Sequence, residues 1–129
     1  MEEPRFDACF ACGKDNPKGL HLEFSYSGEK ASAVFHCPVE YEGYPGMIHG
    51  GIISTLMDEA MAKIILAHGK KAVTARLITH FRHPVPTGQV VTVSGWIDVA
   101  KTRSISAKAK VADASGKVLA EAEAMFIVL

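Results

Sequence analysis

Only one segment of this chain has a helical hydrophobic period; every other periodic stretch alternates. In "GMIHGGIISTLMDEAMAKII" apolar side chains recur at positions 52, 53, 56, 57, 60, 61, 64 and 65. They cover more than half of a helix circumference, wider than an ordinary surface stripe. Before this segment, "LHLEFSYS" alternates Leu20, Leu22, Phe24 and Tyr26, and "KASAVFHC" returns after a turn at Gly28. After it come "AVTARLITHFRH", "QVVTVSGWIDVA", "RSISAKAKVAD" and "KVLAEAEAMFIVL", parted by Pro84–Gly88, Lys101–Thr102 and Ala114–Gly116. These read as half-buried strands between turn signals. One helix among about six antiparallel strands implies an α+β fold in which a curved sheet wraps a single long central helix. The width of the apolar stripe adds the expectation that a second subunit covers part of it, in a homodimer or homotetramer.

The chain has 129 residues, enough for one domain with a sizeable core. A single domain over 1–129 is expected, with residues 1–19 as an irregular lead broken by Pro4, Gly13, Pro17 and Gly19. Acidic and basic side chains number 14 each, so no charge excess points to nucleic acid or a membrane surface. No apolar run reaches the roughly 18 residues that a membrane span needs, and "MEEPRFDA" is acidic and polar, without the apolar run expected of a signal peptide. Three cysteines cannot all pair within one chain, so reduced thiols and a cytoplasmic location are expected.

The helical segment also contains residues that packing alone does not ask for. His49, Gly50 and Gly51 stand at its mouth, and Asp58 lies about two turns in. On a helical wheel Asp58 falls about 140° from the centre of the stripe, where a carboxylate is ordinarily solvated. Glu59 and Lys63 form an i,i+4 pair that needs only a surface role, and two glycines can simply make a tight helix start. Taken together, the same residues suit chemistry on a carbonyl. A helix N-terminus offers unpaired N–H groups and a positive dipole end to an oxyanion, and glycine lets a ligand approach the backbone. Asp58 is too far along the axis to reach the same atom, but Asp58 of one subunit could face a carbonyl held at Gly50 of another.

"HGGIISTLMDEA" resembles the His-Gly-Gly-x6-Asp signature of PaaI-type hot-dog-fold acyl-CoA thioesterases. "VTARLITHFRHPVPTGQVV" is similar to the strand and aromatic–basic–x–Pro turn that follow in that family, and "CFACGKDNPKGLHLEF" to the lead of many members. The resemblance implies a hot-dog fold and hydrolysis of acyl-CoA to free acid and CoA. It implies Asp58 as general base or nucleophile, the Gly50 amide, with that of Gly51 beside it, as the group polarising the thioester carbonyl, and His49 as support for that turn or the thioester. Thr74 matches a Thr or Ser that assists the attacking water, and Gly43 and Tyr44 stand where some members carry an Asn. A basic residue in the turn at Lys101–Arg103 meets CoA phosphates in similar proteins. Arg103 is preferred there for its bidentate guanidinium, with Lys101 beside it and Arg82 and His83 as second contacts. No cofactor is expected, CoA arriving as part of the substrate. Other hot-dog proteins are acyl-thioester hydratases or dehydratases, or non-catalytic acyl-CoA-binding proteins, and these remain the alternatives. Cys9 and Cys12 form a CxxC with His36–Cys37 downstream. The second half lacks paired spacing, so structural thiols are preferred to zinc and no metal is expected.

Overall fold

The alternating runs join into one sheet. In the computed structural model, which describes residues 5–129, the strands are β1 (Ser25–Ser27), β2 (Lys30–Phe35), β3 (Ala72–Phe81), β4 (Val91–Ala100), β5 (Ser104–Asp113) and β6 (Val118–Val128). Their order across the sheet is β1-β2-β4-β5-β6-β3, every neighbour antiparallel. The one α-helix among the described residues, α1 (Gly50–Ala67), packs against β2 through β6. This is the hot-dog arrangement. His68 ends the helix, its ring Nδ1 2.9 Å from the Ile64 carbonyl, and Gly69 follows at φ +81°, the left-handed exit that favours glycine.

The helix lies close to the sheet because the residues beneath it are small. Ala31, Gly95, Ala109 and Ala122 are aligned across four strands by the pairing register, and Thr79 of β3 continues the row. A side chain at Gly95 would meet the Ala60 carbonyl carbon and oxygen at 2.6 and 2.7 Å and the Met61 nitrogen at 2.8 Å. Backbone therefore touches backbone where α1 crosses β4. Larger side chains fill the flanks: Leu56, Met57, Met61, Ile105, Val111 and Phe126 are all buried. Each such side chain contributes about 1.5–3 kcal/mol on leaving water.

Two expectations need correction. Only Ser25–Ser27 of "LHLEFSYS" enters the sheet. His21 adopts φ +53°, and the Leu20 and Leu22 N–H groups donate to the carbonyls of Phe10 and Ala11 in the lead. The alternation there reflects two leucines capping the core from outside the sheet, not a long strand. The stripe on α1 is also covered more fully than its width suggested. Ile53, Leu56, Met57, Ala60, Met61, Ile64 and Ile65 are buried within the single chain, and only Ile52 is half-buried. Sheet and lead together enclose it, so stripe width is no argument for a second subunit. β3 supplies a different one. It is an edge strand of ten residues, mostly exposed, with Val73 and Phe81 each more than half exposed. Long unpaired edges are unusual in a lone subunit.

Candidate active site

The loop ahead of α1 is held at several points. Ile48 N–H donates to the Val85 carbonyl, Thr87 N–H to Gly46 and Gly88 N–H to Cys37. The "HPVPTG" segment thus braces the helix start, which explains its prolines and glycine. His49 caps the helix: its Nδ1 accepts the Gly51 N–H at 2.9 Å, and its carbonyl accepts from Ile52 and Ile53. Gly43 packs so near that a Cβ there would lie 2.9 Å from His49 Cα and 3.2 Å from ring Cδ2. Gly43 thus lets the loop close against His49. The two glycines of the helix start consequently differ. The Gly51 N–H is taken by His49, whereas the Gly50 N–H has no partner among the described residues.

Asp58 lies on the half-buried flank of α1 that faces β3, and Thr74 Oγ1 donates to its Oδ1 at 2.6 Å. That is the short range of a charge-assisted O–H···O⁻ bond. The pairing of β3 with β6 shifts register between Thr74 and Arg76. Such a bulge re-aims side chains at the end of a strand, and no periodicity revealed it. One turn earlier Ser54 donates to Thr79 Oγ1 at 3.3 Å, a second polar tie between helix and edge strand that the sequence did not single out.

The predicted basic residues fall into two groups. Lys101 and Arg103 are exposed in the β4–β5 turn, where the Arg103 carbonyl accepts the Val128 N–H. Arg82 and His83 follow β3 and both donate backbone N–H to Leu119. Leu119 and Val128 lie at opposite ends of β6, about 30 Å apart at the usual strand rise. Within one chain the groups cannot meet one nucleotide. Arg82 is also engaged, its Nε and Nη2 lying 3.3 and 3.1 Å from Glu121 Oε2. The Lys101–Arg103 turn shares the Asp58–Thr74 end of the sheet, and Arg82–His83 shares the Gly50 end.

The cysteines separate differently from their spacing. Cys37 is buried, and burial pushes its thiol up to about 11; His36 beside it is exposed. Neither joins Cys9 and Cys12. What stands with those two is Glu59, Cys9 Sγ lying 3.6 Å from its Oε2. Burial, the Glu59 charge and the Cys9 bond together push the Cys12 thiol up to about 12. Glu59 and Lys63, read from sequence as a surface pair, are 3.9 Å apart with side chains only 16% exposed. The lead covers them, and Lys63 Nζ sits 4.7 Å from the Phe6 ring centre.

Comparison with known proteins places the sequence and the fold. A bovine protein named acyl-coenzyme A thioesterase THEM4 is 33% identical over the whole chain, which matches 55% of that protein. The chain thus spans about half the length of the curated relatives it matches. The Escherichia coli PaaI protein superposes with a TM-score of 0.81 at 17% identity, over 92% of this chain and 83% of that one. A Streptococcus mutans protein solved bound to acetyl-CoA gives 0.79 at 18% identity, over 84% and 88%. The sequence model described as thioesterase superfamily matches residues 45–120. With that match running from the loop ahead of α1 into β6, over more than half of its length, the chain belongs to the thioesterase superfamily.

Proposed function

We propose that the protein hydrolyses acyl-CoA thioesters to free acid and CoA, with Asp58 as general base or nucleophile. The observation that carries this is the 2.6 Å bond from Thr74 to Asp58 on a half-buried helix flank beside an unpaired edge strand. A carboxylate held by one hydroxyl keeps its other oxygen for water or for the carbonyl carbon. The Gly50 N–H, without a partner among the described residues and at the positive end of α1, is the donor for the developing oxyanion. A thiolate leaves readily, so no separate acid is required.

Gly50 and Asp58 are eight residues apart, about 12 Å along one helix, too far to serve one carbonyl. An antiparallel two-fold partner laid along β3 reverses the ends, setting Gly50 of one subunit beside Asp58 of the other. It also brings the Arg82–His83 group of one chain towards the Lys101–Arg103 turn of its partner. The assembly is therefore a homodimer at least, with the substrate between subunits, and the exposed length of β3 supports it. Arg103 is the favoured phosphate contact, since its guanidinium has no ion pair among the described residues whereas that of Arg82 is held by Glu121.

Incubation with saturated acyl-CoA and with trans-2-enoyl-CoA tests the reading. Thiol release from both, with no change in enoyl absorbance beyond hydrolysis, is expected. Hydration of the enoyl group without thiol release assigns a hydratase, and binding without turnover assigns a carrier or sensor; either outcome removes the hydrolase.

A further inference from the structure

We propose that Cys9, Cys12 and Glu59 form a binding site for one divalent zinc-class cation, which clamps the N-terminal lead onto α1. One ligand atom from each of these three half-buried residues lies within 4.8 Å of the other two. A tetrahedral zinc with Zn–S near 2.3 Å and Zn–O near 2.0 Å requires S···O edges of about 3.5 Å. The Cys9 Sγ to Glu59 Oε2 separation is 3.6 Å. The cluster already spans an edge of that polyhedron, and a small rotamer adjustment closes the rest.

The turn carrying the thiols is tightly built. Cys9 N–H donates to Phe6, Gly13 N–H donates back to the Cys9 carbonyl at 2.8 Å, and Leu20 and Leu22 tie the lead to the core. A side chain at Gly13 would collide with the backbone of Asp7 and Cys9. A CxxC followed directly by such a glycine folds both sulfurs to one side, here towards the helix. Ligand charge then favours a dication. Two thiolates and a carboxylate carry three negative charges, the ion supplies two positive ones, and Lys63, 3.9 Å from Glu59, supplies the last. The two thiol protons leave to solvent. Thiolate sulfur selects zinc-class ions over magnesium or calcium. Glu59 also lines a cleft of about 330 Å³ with Phe6, Lys63 and Leu129, giving an ion a path from solvent. The fourth position is left to water.

This site is separate from the proposed hydrolase chemistry, and its readout is spectroscopic. The reduced, chelator-treated full chain is titrated with cobalt(II). One equivalent per chain should produce a near-ultraviolet thiolate-to-cobalt band and strong tetrahedral visible bands, displaced by zinc. Zinc should raise the melting temperature and protect Cys9 and Cys12 from alkylation, read by peptide mass spectrometry. Cys9→Ser and Cys12→Ser should abolish the bands, Glu59→Gln should weaken cobalt binding at least about tenfold, and Cys37→Ala should leave it unchanged. Absence of the charge-transfer band in the wild-type protein overturns the proposal even if no variant folds. So does a band that survives the Cys9→Ser, Cys12→Ser double substitution.

Discussion

Replacing Asp58 by Asn tests the centre of the proposed chemistry with little disturbance of shape. The amide keeps an oxygen for Thr74 Oγ1, so the 2.6 Å contact can persist while the basic carboxylate is lost. General-base help is worth about 10²–10⁴-fold, which at 1.36 kcal/mol per tenfold is about 2.7–5.5 kcal/mol of barrier. Thiol release from acyl-CoA, followed with a chromogenic disulfide, should therefore show kcat down by at least about 100-fold. Replacing Thr74 by Val removes the hydroxyl but keeps a β-branched residue on an exposed strand position, so folding should be indifferent. A hydrogen bond to a charged group contributes about 1.5–3 kcal/mol, so Thr74→Val should cost up to roughly 10–100-fold. If both residues act on one reacting group, the double variant should be little worse than Asp58→Asn alone. Melting temperatures should change little, because Asp58 is only half-buried. Near-parental kcat in Asp58→Asn, or singles that simply multiply in the double, would refute the reasoning and leave Asp58 a solvated helix residue.

Four further outcomes follow from particular contacts. Gly50→Ala places a methyl in ordinary contact with Phe81, 3.5 Å from Cζ, so stability should hold or rise by about 0.4–1 kcal/mol while kcat/KM falls as the methyl blocks approach to the N–H; unchanged kinetics would remove this amide from the site. Gly95→Ala forces a Cβ into the Ala60 carbonyl, and urea unfolding should show a loss of at least about 1–3 kcal/mol. Arg103→Ala should raise KM for acyl-CoA, less so at high salt, and leave a pantetheine thioester unaffected; equal losses on both substrates would make Arg103 structural. Cys37, with a thiol raised to about 11 in the folded chain and near 9.0 when free, is protonated in both states at neutral pH. The folded state holds that proton more tightly, so the contribution of Cys37 to stability should be constant below pH 9 and decline as pH rises towards 11. Melting curves of Cys37→Ala should show a shallower alkaline decline.

Most of the fold was legible because two periods organise the sequence so cleanly. Ile53 to Ile65 could only be a helix, and the runs from Ala72 onward could only alternate across a sheet. "LHLEFSYS" misled because alternation reports which side chains are buried and not what buries them. Leu20 and Leu22 are covered, yet their backbone bonds run to the lead. The same limit applied to the helix stripe, whose cover by the lead has no periodic signature. At the candidate site, the proximity of Asp58 and Thr74 was expected from resemblance, whereas the division of labour between Gly50 and Gly51 was not legible. It depends on where one imidazole nitrogen points. Glu59 was misread as a surface residue because its neighbours, Phe6, Cys9 and Cys12, lie about fifty positions away in sequence.

The contact between Gly95 and Ala60 has a consequence for how this fold can change. Side chains in a packing interface can be exchanged for others of similar volume, and the elements they separate then drift by fractions of an ångström. Where main chain rests on main chain there is no such adjustable spacer. The helix is pinned to β4 two residues after Asp58, so the axial position of the carboxylate is set by a contact that only a side chain at Gly95 itself would disturb. Side chains elsewhere on the helix are then free to vary while the Asp58 carboxylate keeps its place along the axis. The shape around Asp58 can therefore change in this chain without moving Asp58 itself.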